Sequence, residues 1–324
     1  MIGKQIQNYK ILKLLGEGGM AFVYLAENQV LGNKVAMKIL KEDFVRNQNI
    51  RKRFIAEGMN LVNMAHPNIV KVVDLIDAGD IVALVLEYID GITLSEYISQ
   101  KGKLSDLEIQ SLFGEMLKAV KYIHSQGIIH RDVKPSNFMI SNNNEIKLLD
   151  FGIAKNTNES GNDYTSTGLN QQMGTPNYMS PEQVRGGEIT AKTDIYSLGV
   201  VLWYLVMGKS VYATSEISFF DLQLKIVQEP LPPTNTKWDK IIEKATQKEE
   251  SKRFKNVEEF IKEIDNVNIV EYDSEKTIIF ENKDSKIEKN YVGHLKKVKF
   301  KKRHLFITLI LIIIFLLVYR FLYK

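Results

Sequence analysis

The stretch IIHRDVKPSNFMI, residues 128–140, sets His130, Arg131 and Asp132 side by side directly after an apolar pair. Three polar groups in that position are costly to bury without partners, so the chain must need their charge or proton chemistry there. LLDFGIAK follows about ten residues later and brings Asp150. Near the start, LGEGGMAFVYLA places Gly16 and Gly18 between two strand-like runs. Backbone without side chains lets amides approach phosphate oxygens, although a plain glycine-rich hairpin turn reads from the same residues. A Rossmann-type site would need a helix after the glycines, and FVYLAEN reads as a strand, with Ala21 where the third glycine would stand. In KVAMKIL, Lys38 lies among apolar neighbours. Facing water it is an ordinary surface charge; facing inward it must find an anion, and both nucleotide phosphates and Glu57, about twenty residues on, are anions.

These residues need elements to hold them. The first hundred residues favour strands, in VYLAEN, KVAMKIL, IVKVVDLIDAG and IVALVLEYI, with one helical stretch around RKRFIAEGMNLVNMA that carries Glu57. The later part reads as helical. In SDLEIQSLFGEMLKAVKYIHSQG, Ile109, Leu112, Phe113, Met116, Val120 and Ile123 keep the three-and-four spacing of one helix face. Ser105 and Glu108 form a capping-box pattern at its start and Gly127 suits its end. His130 therefore stands where a buried helix hands over to a loop. TDIYSLGVVLWYLVMG is apolar over about thirteen residues, too short for a bilayer core, and predicts a buried central helix. A β-rich part joined to an α-rich part predicts an α+β fold of two lobes with a cleft between them.

Composition agrees with a folded core. The 324 residues are 44% hydrophobic and 25% charged, and the absence of cysteine excludes disulfides and thiolate metal sites. The net charge of +4 divides unevenly: residues 286–304 carry eight Lys or Arg against one Glu, and the globular part is mildly acidic. An acidic body argues against a nucleic-acid groove, which needs a clustered basic face. The first residues show no signal-peptide core and no myristoylation pattern. Three regions are expected: a globular domain over residues 9–265, a polar then basic linker over 266–304, and an apolar segment over 305–323, broken only by Arg320, that reads as a membrane anchor.

Together these motifs resemble the protein kinase superfamily. The matching residues are Gly16, Gly18 and Val23 in the glycine loop; Val35, Ala36, Met37 and Lys38; Glu57; His130, Arg131, Asp132 and Asn137; Asp150, Phe151 and Gly152; and Ser180, Pro181 and Glu182. The resemblance covers about 250 residues, with the motifs in the family's order. It implies the two-lobed protein kinase fold, β-rich N-lobe and α-rich C-lobe, with ATP as phosphoryl donor and Mg²⁺, or Mn²⁺ in its place, as the metal. On that reading Lys38 holds the α and β phosphates, Glu57 aims Lys38, and Asn137 and Asp150 are metal ligands. Asp132 is the base for the attacking hydroxyl and Lys134 neutralises the transferring phosphoryl group. His130 packs the catalytic loop and is neither ligand nor base. ATP would lie against Leu15, Gly16, Glu17, Gly18, Gly19, Met20, Ala21, Phe22 and Val23, against Ala36 and Lys38, and along a hinge, Leu86 to Ile89, that includes Glu87 and Ile89.

Lysine in VKPSN resembles the Ser/Thr kinases rather than the tyrosine kinases, and the whole pattern looks like the bacterial eukaryotic-like Ser/Thr kinases. The resemblance also implies that Thr175 contacts the catalytic Asp and Lys, that Asp194 braces the catalytic loop, and that Arg253 pairs with Glu182. A pseudokinase would have lost Lys38, Asp132, Asn137 or Asp150, and all four are present. A small-molecule kinase would lack the glycine loop and the Ser180–Glu182 motif.

Arg131 in this family can bind phosphate on the activation segment, Asp150 to Glu182, where Thr165, Ser166 and Thr167 are the candidate acceptors; Thr277, in the linker, is a separate second site. Expected partners are Ser/Thr-bearing proteins, anionic membrane lipids and a second copy of the chain for autophosphorylation in trans; nucleic acid is not expected. The nineteen residues of 305–323 would span about 28 Å as a helix. The basic run KKVKFKKR before them would keep the kinase domain in the cytoplasm, as a single-pass, C-terminally anchored protein of the cell membrane whose signal arrives from the cytoplasm, the bilayer or self-association.

Overall fold

A computed structural model describes residues 1–149, 176–212 and 217–267. Six antiparallel strands, β1 (Gln5–Ile6), β2 (Tyr9–Glu17), β3 (Ala21–Asn28), β4 (Lys34–Leu40), β5 (Val72–Ala78) and β6 (Ile81–Glu87), form one sheet in the order β1-β2-β3-β4-β6-β5. Strand β6 reads IVALVLE and is buried along Val82 to Leu86, because it has strands on both sides and packs under a helix. Between β4 and β5 come a short helix α1 (Glu42–Val45) and the longer α2 (Gln48–Val62), which buries Phe54, Glu57, Gly58 and Leu61. Asn47 starts α2 by accepting the Asn49 and Ile50 amides. Gly58 is required by this packing: a Cβ there would lie 2.1 Å from Leu84 Cδ2.

Beyond β6 the chain forms β7 (Gly91–Thr93), α3 (Leu94–Lys101) and α4 (Asp106–Ser125), then β8 (Phe138–Ser141) and β9 (Ile146–Leu148). The helices α5 (Pro181–Arg185), α6 (Ala191–Met207), α7 (Phe219–Gln228), α8 (Asp239–Ala245) and α9 (Val257–Asp265) follow. Helix α4 starts on the expected capping box, Ser105 with Glu108, and Gly127 just past its end takes φ +73°. Helix α6 is buried almost all round, so it shows no polar stripe and serves as the axis of the helical lobe. Phe113 of α4 and Phe260 of α9 meet edge to face at 5.4 Å, and Phe254 stacks on Phe260 at 4.4 Å. Trp238, fully buried, donates to Asp106 Oδ1 at 2.7 Å and so ties α8 to the start of α4.

Two sequence expectations need correction. The first hundred residues hold α1 and most of α3 as well as α2, and the later part is not wholly helical, since β8 and β9 lie there and join β7 in a three-stranded sheet. Strands of three or four residues are too short to show a period, and α1 is a single turn. The linker beyond 267 and the segment 305–323 lie outside the described residues; among the described residues no helix is long and apolar enough to cross a membrane.

Candidate active site

The glycine loop is the β2–β3 hairpin, with Gly16 opposite Val23 and Glu17 opposite Phe22. The Gly18 amide donates to Ala21 O at 2.8 Å and closes the turn around Gly19 and Met20. Neither Gly16 nor Gly18 has positive φ, and a Cβ built on Gly16 meets nothing within 4 Å. A tight turn therefore does not demand glycine at these two places. Open space over bare backbone is what close approach of phosphate oxygens requires. Lys41 steadies the tip: its amide donates to Met20 O at 2.9 Å and its ammonium meets Glu17 at 2.6 Å.

Lys38 sits in the middle of the sheet, between Val23 of β3 and Leu84 of β6. Its ammonium lies 3.0 Å from Glu57 Oε1, and both side chains are largely removed from water. The inward reading of this lysine holds, and α2 supplies the anion. Ala36, two residues before it, stands opposite Leu86 on the hinge strand. Glu87 accepts from the Lys71 amide and from Lys147 Nζ, each at 2.9 Å, which fixes the end of β6, where the hinge is expected. Ile89 is buried against the helical lobe.

Below the sheet, residues 130–137 form the loop that the opening triplet predicted. His130 is fully buried, and its Nδ1 accepts the Asp132 amide at 3.3 Å, so the ring props the loop from within. Asp194, buried at the start of α6, accepts the His130 and Arg131 amides at 2.8 Å each, and His124 Nε2 lies 2.7 Å from the same carboxylate. The carboxylate of Asp132 stays partly exposed, 2.7 Å from Lys134 Nζ. Asn137 Nδ2 donates to Asp132 O at 2.7 Å and to its Oδ2 at 3.3 Å. That orientation turns the Asn137 Oδ1 away from Asp132, a hard oxygen of the kind Mg²⁺ accepts. The donor set fits the metal as far as it is described; Asp150, the second expected ligand, lies outside the described residues, as do Thr165, Ser166, Thr167, Thr175 and Thr277. Among the described residues no group of three His, Asp or Glu side chains is placed to hold a metal.

Glu182 and Arg253 form a buried two-pronged pair. Burial pushes the Glu182 carboxyl up, but the Arg253 hydrogen bonds and charge, helped by Thr193, hold it below the usual carboxylate value. One contact was not foreseen. Gln183 Nε2 donates to Arg131 O at 2.7 Å, from the side chain that also closes the Ser180 capping box of α5.

The protein kinase domain profile matches residues 9–275. The chain belongs to the protein kinase domain family. The matched region runs ten residues past the boundary expected at 265, where α9 ends. Among similar proteins, the serine/threonine-protein kinase PrkC of Bacillus subtilis is 38% identical over 268 residues, covering 80% of this chain and 40% of that protein. The serine/threonine-protein kinase PknB of Mycobacterium tuberculosis is 35% identical over 261 residues, covering 78% of this chain and 41% of that protein. The chain thus spans about 40% of the length of these relatives. The crystal structure of the M. tuberculosis PknI kinase domain superposes with a TM-score of 0.64 at 22% identity, over 82% of this chain and 97% of that one, which establishes the two-lobed fold.

Proposed function

We propose that this kinase-family chain transfers the γ-phosphoryl group of ATP to Ser and Thr hydroxyls of proteins, its own activation segment among them. The observation that carries the reading is the cluster at Asp132, a partly exposed carboxylate held by Asn137 and paired at 2.7 Å with Lys134. Asp132 orients the attacking hydroxyl and accepts its proton. Lys134, already at its side, meets the charge that develops on the transferring phosphoryl group. Lys38, aimed by Glu57, grips the α and β phosphates, and the bare backbone of Gly16 and Gly18 lets the loop close over them. Asn137 and Asp150 are the residues that would hold Mg²⁺, which would offset the charge of the phosphates. The Ser/Thr assignment rests on Lys134 and on the names of the relatives.

The second part of the reading is location. Residues 305–323 anchor the protein in a membrane, the basic run before them lies on the cytoplasmic headgroups, and confinement to a plane promotes phosphorylation between copies at Thr165, Ser166 or Thr167. Incubation with labelled ATP and Mg²⁺, followed by acid hydrolysis, tests the chemistry: label on phosphoserine and phosphothreonine of a protein acceptor supports it. Label only on an amino-sugar or choline acceptor, or on none, contradicts it.

A further inference from the structure

We propose that Gln183 is a positioning residue for phosphoryl transfer, coupling the seating of α5 to the placement of Asp132; the proposal rests on the kinase reading above. One planar amide does two things. Its Oε1 accepts the Ser180 amide at 3.0 Å, which completes the cap of α5, and its Nε2 donates to Arg131 O at 2.7 Å. Turning the amide over would set carbonyl against carbonyl and NH₂ against N–H, so only this orientation satisfies both ends. Fixing one end therefore fixes the other.

The carbonyl it holds is a special one. Arg131 has φ +67°, the left-handed region that a long side chain adopts only against steric resistance. The structure restrains it on both flanks: Asp194 Oδ1 takes its N–H at 2.8 Å and Gln183 takes its C=O. That C=O belongs to the peptide unit joining Arg131 to Asp132, whose N–H is held by His130 Nδ1 at 3.3 Å. Rotation of this plane would swing the Asp132 Cα and its carboxylate. Asp194 and His130 come from the body of the helical lobe, whereas Gln183 comes from α5, the helix in which the activation segment ends. Displacement of α5 would thus release a restraint on that peptide. A capping role alone would not require the contact to Arg131.

Gln183→Glu separates the two roles, because a carboxylate still accepts the Ser180 amide but sets an anionic oxygen against the Arg131 carbonyl. In the full chain we expect kcat to fall roughly tenfold, since small misplacements of catalytic groups cost that much or more. The KM for ATP should stay within about twofold and the thermal midpoint within about 2 °C. Once protonated, the introduced carboxyl can donate again, so the ratio of variant to wild-type kcat should climb as pH is lowered. Hydrogen exchange at the amides of residues 131–133, followed without nucleotide, should quicken in the variant. A variant with wild-type kcat and wild-type exchange overturns the coupling, as does a loss of kcat that tracks a lowered midpoint and ignores pH. An inactive wild-type protein would instead defeat the kinase reading, and the exchange comparison would still decide whether Gln183 restrains the loop.

Discussion

Arg253 grips both carboxylate oxygens of Glu182, Nη1 to Oε1 and Nη2 to Oε2 at 2.8 Å each, in a site where the guanidinium has no exposure to water. Its remaining donors go to the carbonyls of Gln247, Lys192 and Lys248, and Thr193 donates to the Glu182 side at 2.9 Å. Every charged group is hydrogen-bonded, which is the condition under which a buried pair is tolerated. The pair fastens α5, and with it Gln183, to the body of the helical lobe.

The first prediction is a pH dependence. Glu182 has its folded pKa held below the ordinary 4.5, so its contribution to stability is fully present above that value and is lost as pH falls through the lower folded value. Arg253→Met should destabilise the protein by about 3–5 kcal/mol at pH 7, because it leaves a buried carboxylate unpaired. It should also reverse the slope: burial alone raises the pKa, so protonation on acidification would relieve the variant while it weakens the wild type. Urea unfolding from about pH 7 down to about pH 3, below the ordinary carboxylate value, measures both. Parallel acid limbs for the two proteins would contradict the assignment.

A second prediction concerns Gly58. A Cβ at this position meets Leu84, a side chain that is itself buried in the core, so in Gly58→Ala either Leu84 re-packs or α2 shifts away from β6, and the crowded core favours the shift. Overpacking of this kind costs about 1–3 kcal/mol. Since Glu57 is the neighbouring residue, the shift should lengthen its contact with Lys38 and weaken ATP binding along with stability. Titration with a fluorescent ATP analogue beside urea unfolding tests this; unchanged values in both would show that the helix accommodates the methyl group without moving.

Much of this arrangement was legible in the sequence, for identifiable reasons. Lys38, Glu57, Asp132 and Asn137 stand in motifs whose order is specific even where each alone is weak, and the structure brings Lys38 to Glu57 and Asp132 to Asn137. The caps of α4 carry their own residue signals, Ser105 with Glu108 at its start and Gly127 at its end. The small sheet of β7, β8 and β9 was illegible because three residues cannot display a period. The contact from Gln183 to Arg131 was illegible because it joins residues 52 apart through a backbone carbonyl, and backbone carbonyls leave no mark on residue type. Glu87 was placed on the hinge from the motif, but its bond to Lys147, 60 residues away, depends on how β9 is laid against the cleft.

The third prediction tests the anchor. Deleting residues 305–324 should release a soluble protein that keeps its transferase activity, while the full chain resists extraction by alkaline carbonate. A truncated protein that stays in the membrane pellet, or a full chain stripped by carbonate, would contradict the anchor.

The central claim is that Asp132 acts on the acceptor hydroxyl and not on ATP. Asp132→Asn keeps the size of the side chain and removes its capacity to take a proton. Single-turnover transfer of labelled phosphate to a Ser/Thr protein, measured with ATP affinity on the same samples, addresses this most directly. The account predicts that transfer falls by at least about a hundredfold, or about 2.7 kcal/mol of barrier, with ATP binding within about threefold of wild type. Transfer within about tenfold of wild type, or a loss explained by weakened ATP binding, would contradict it.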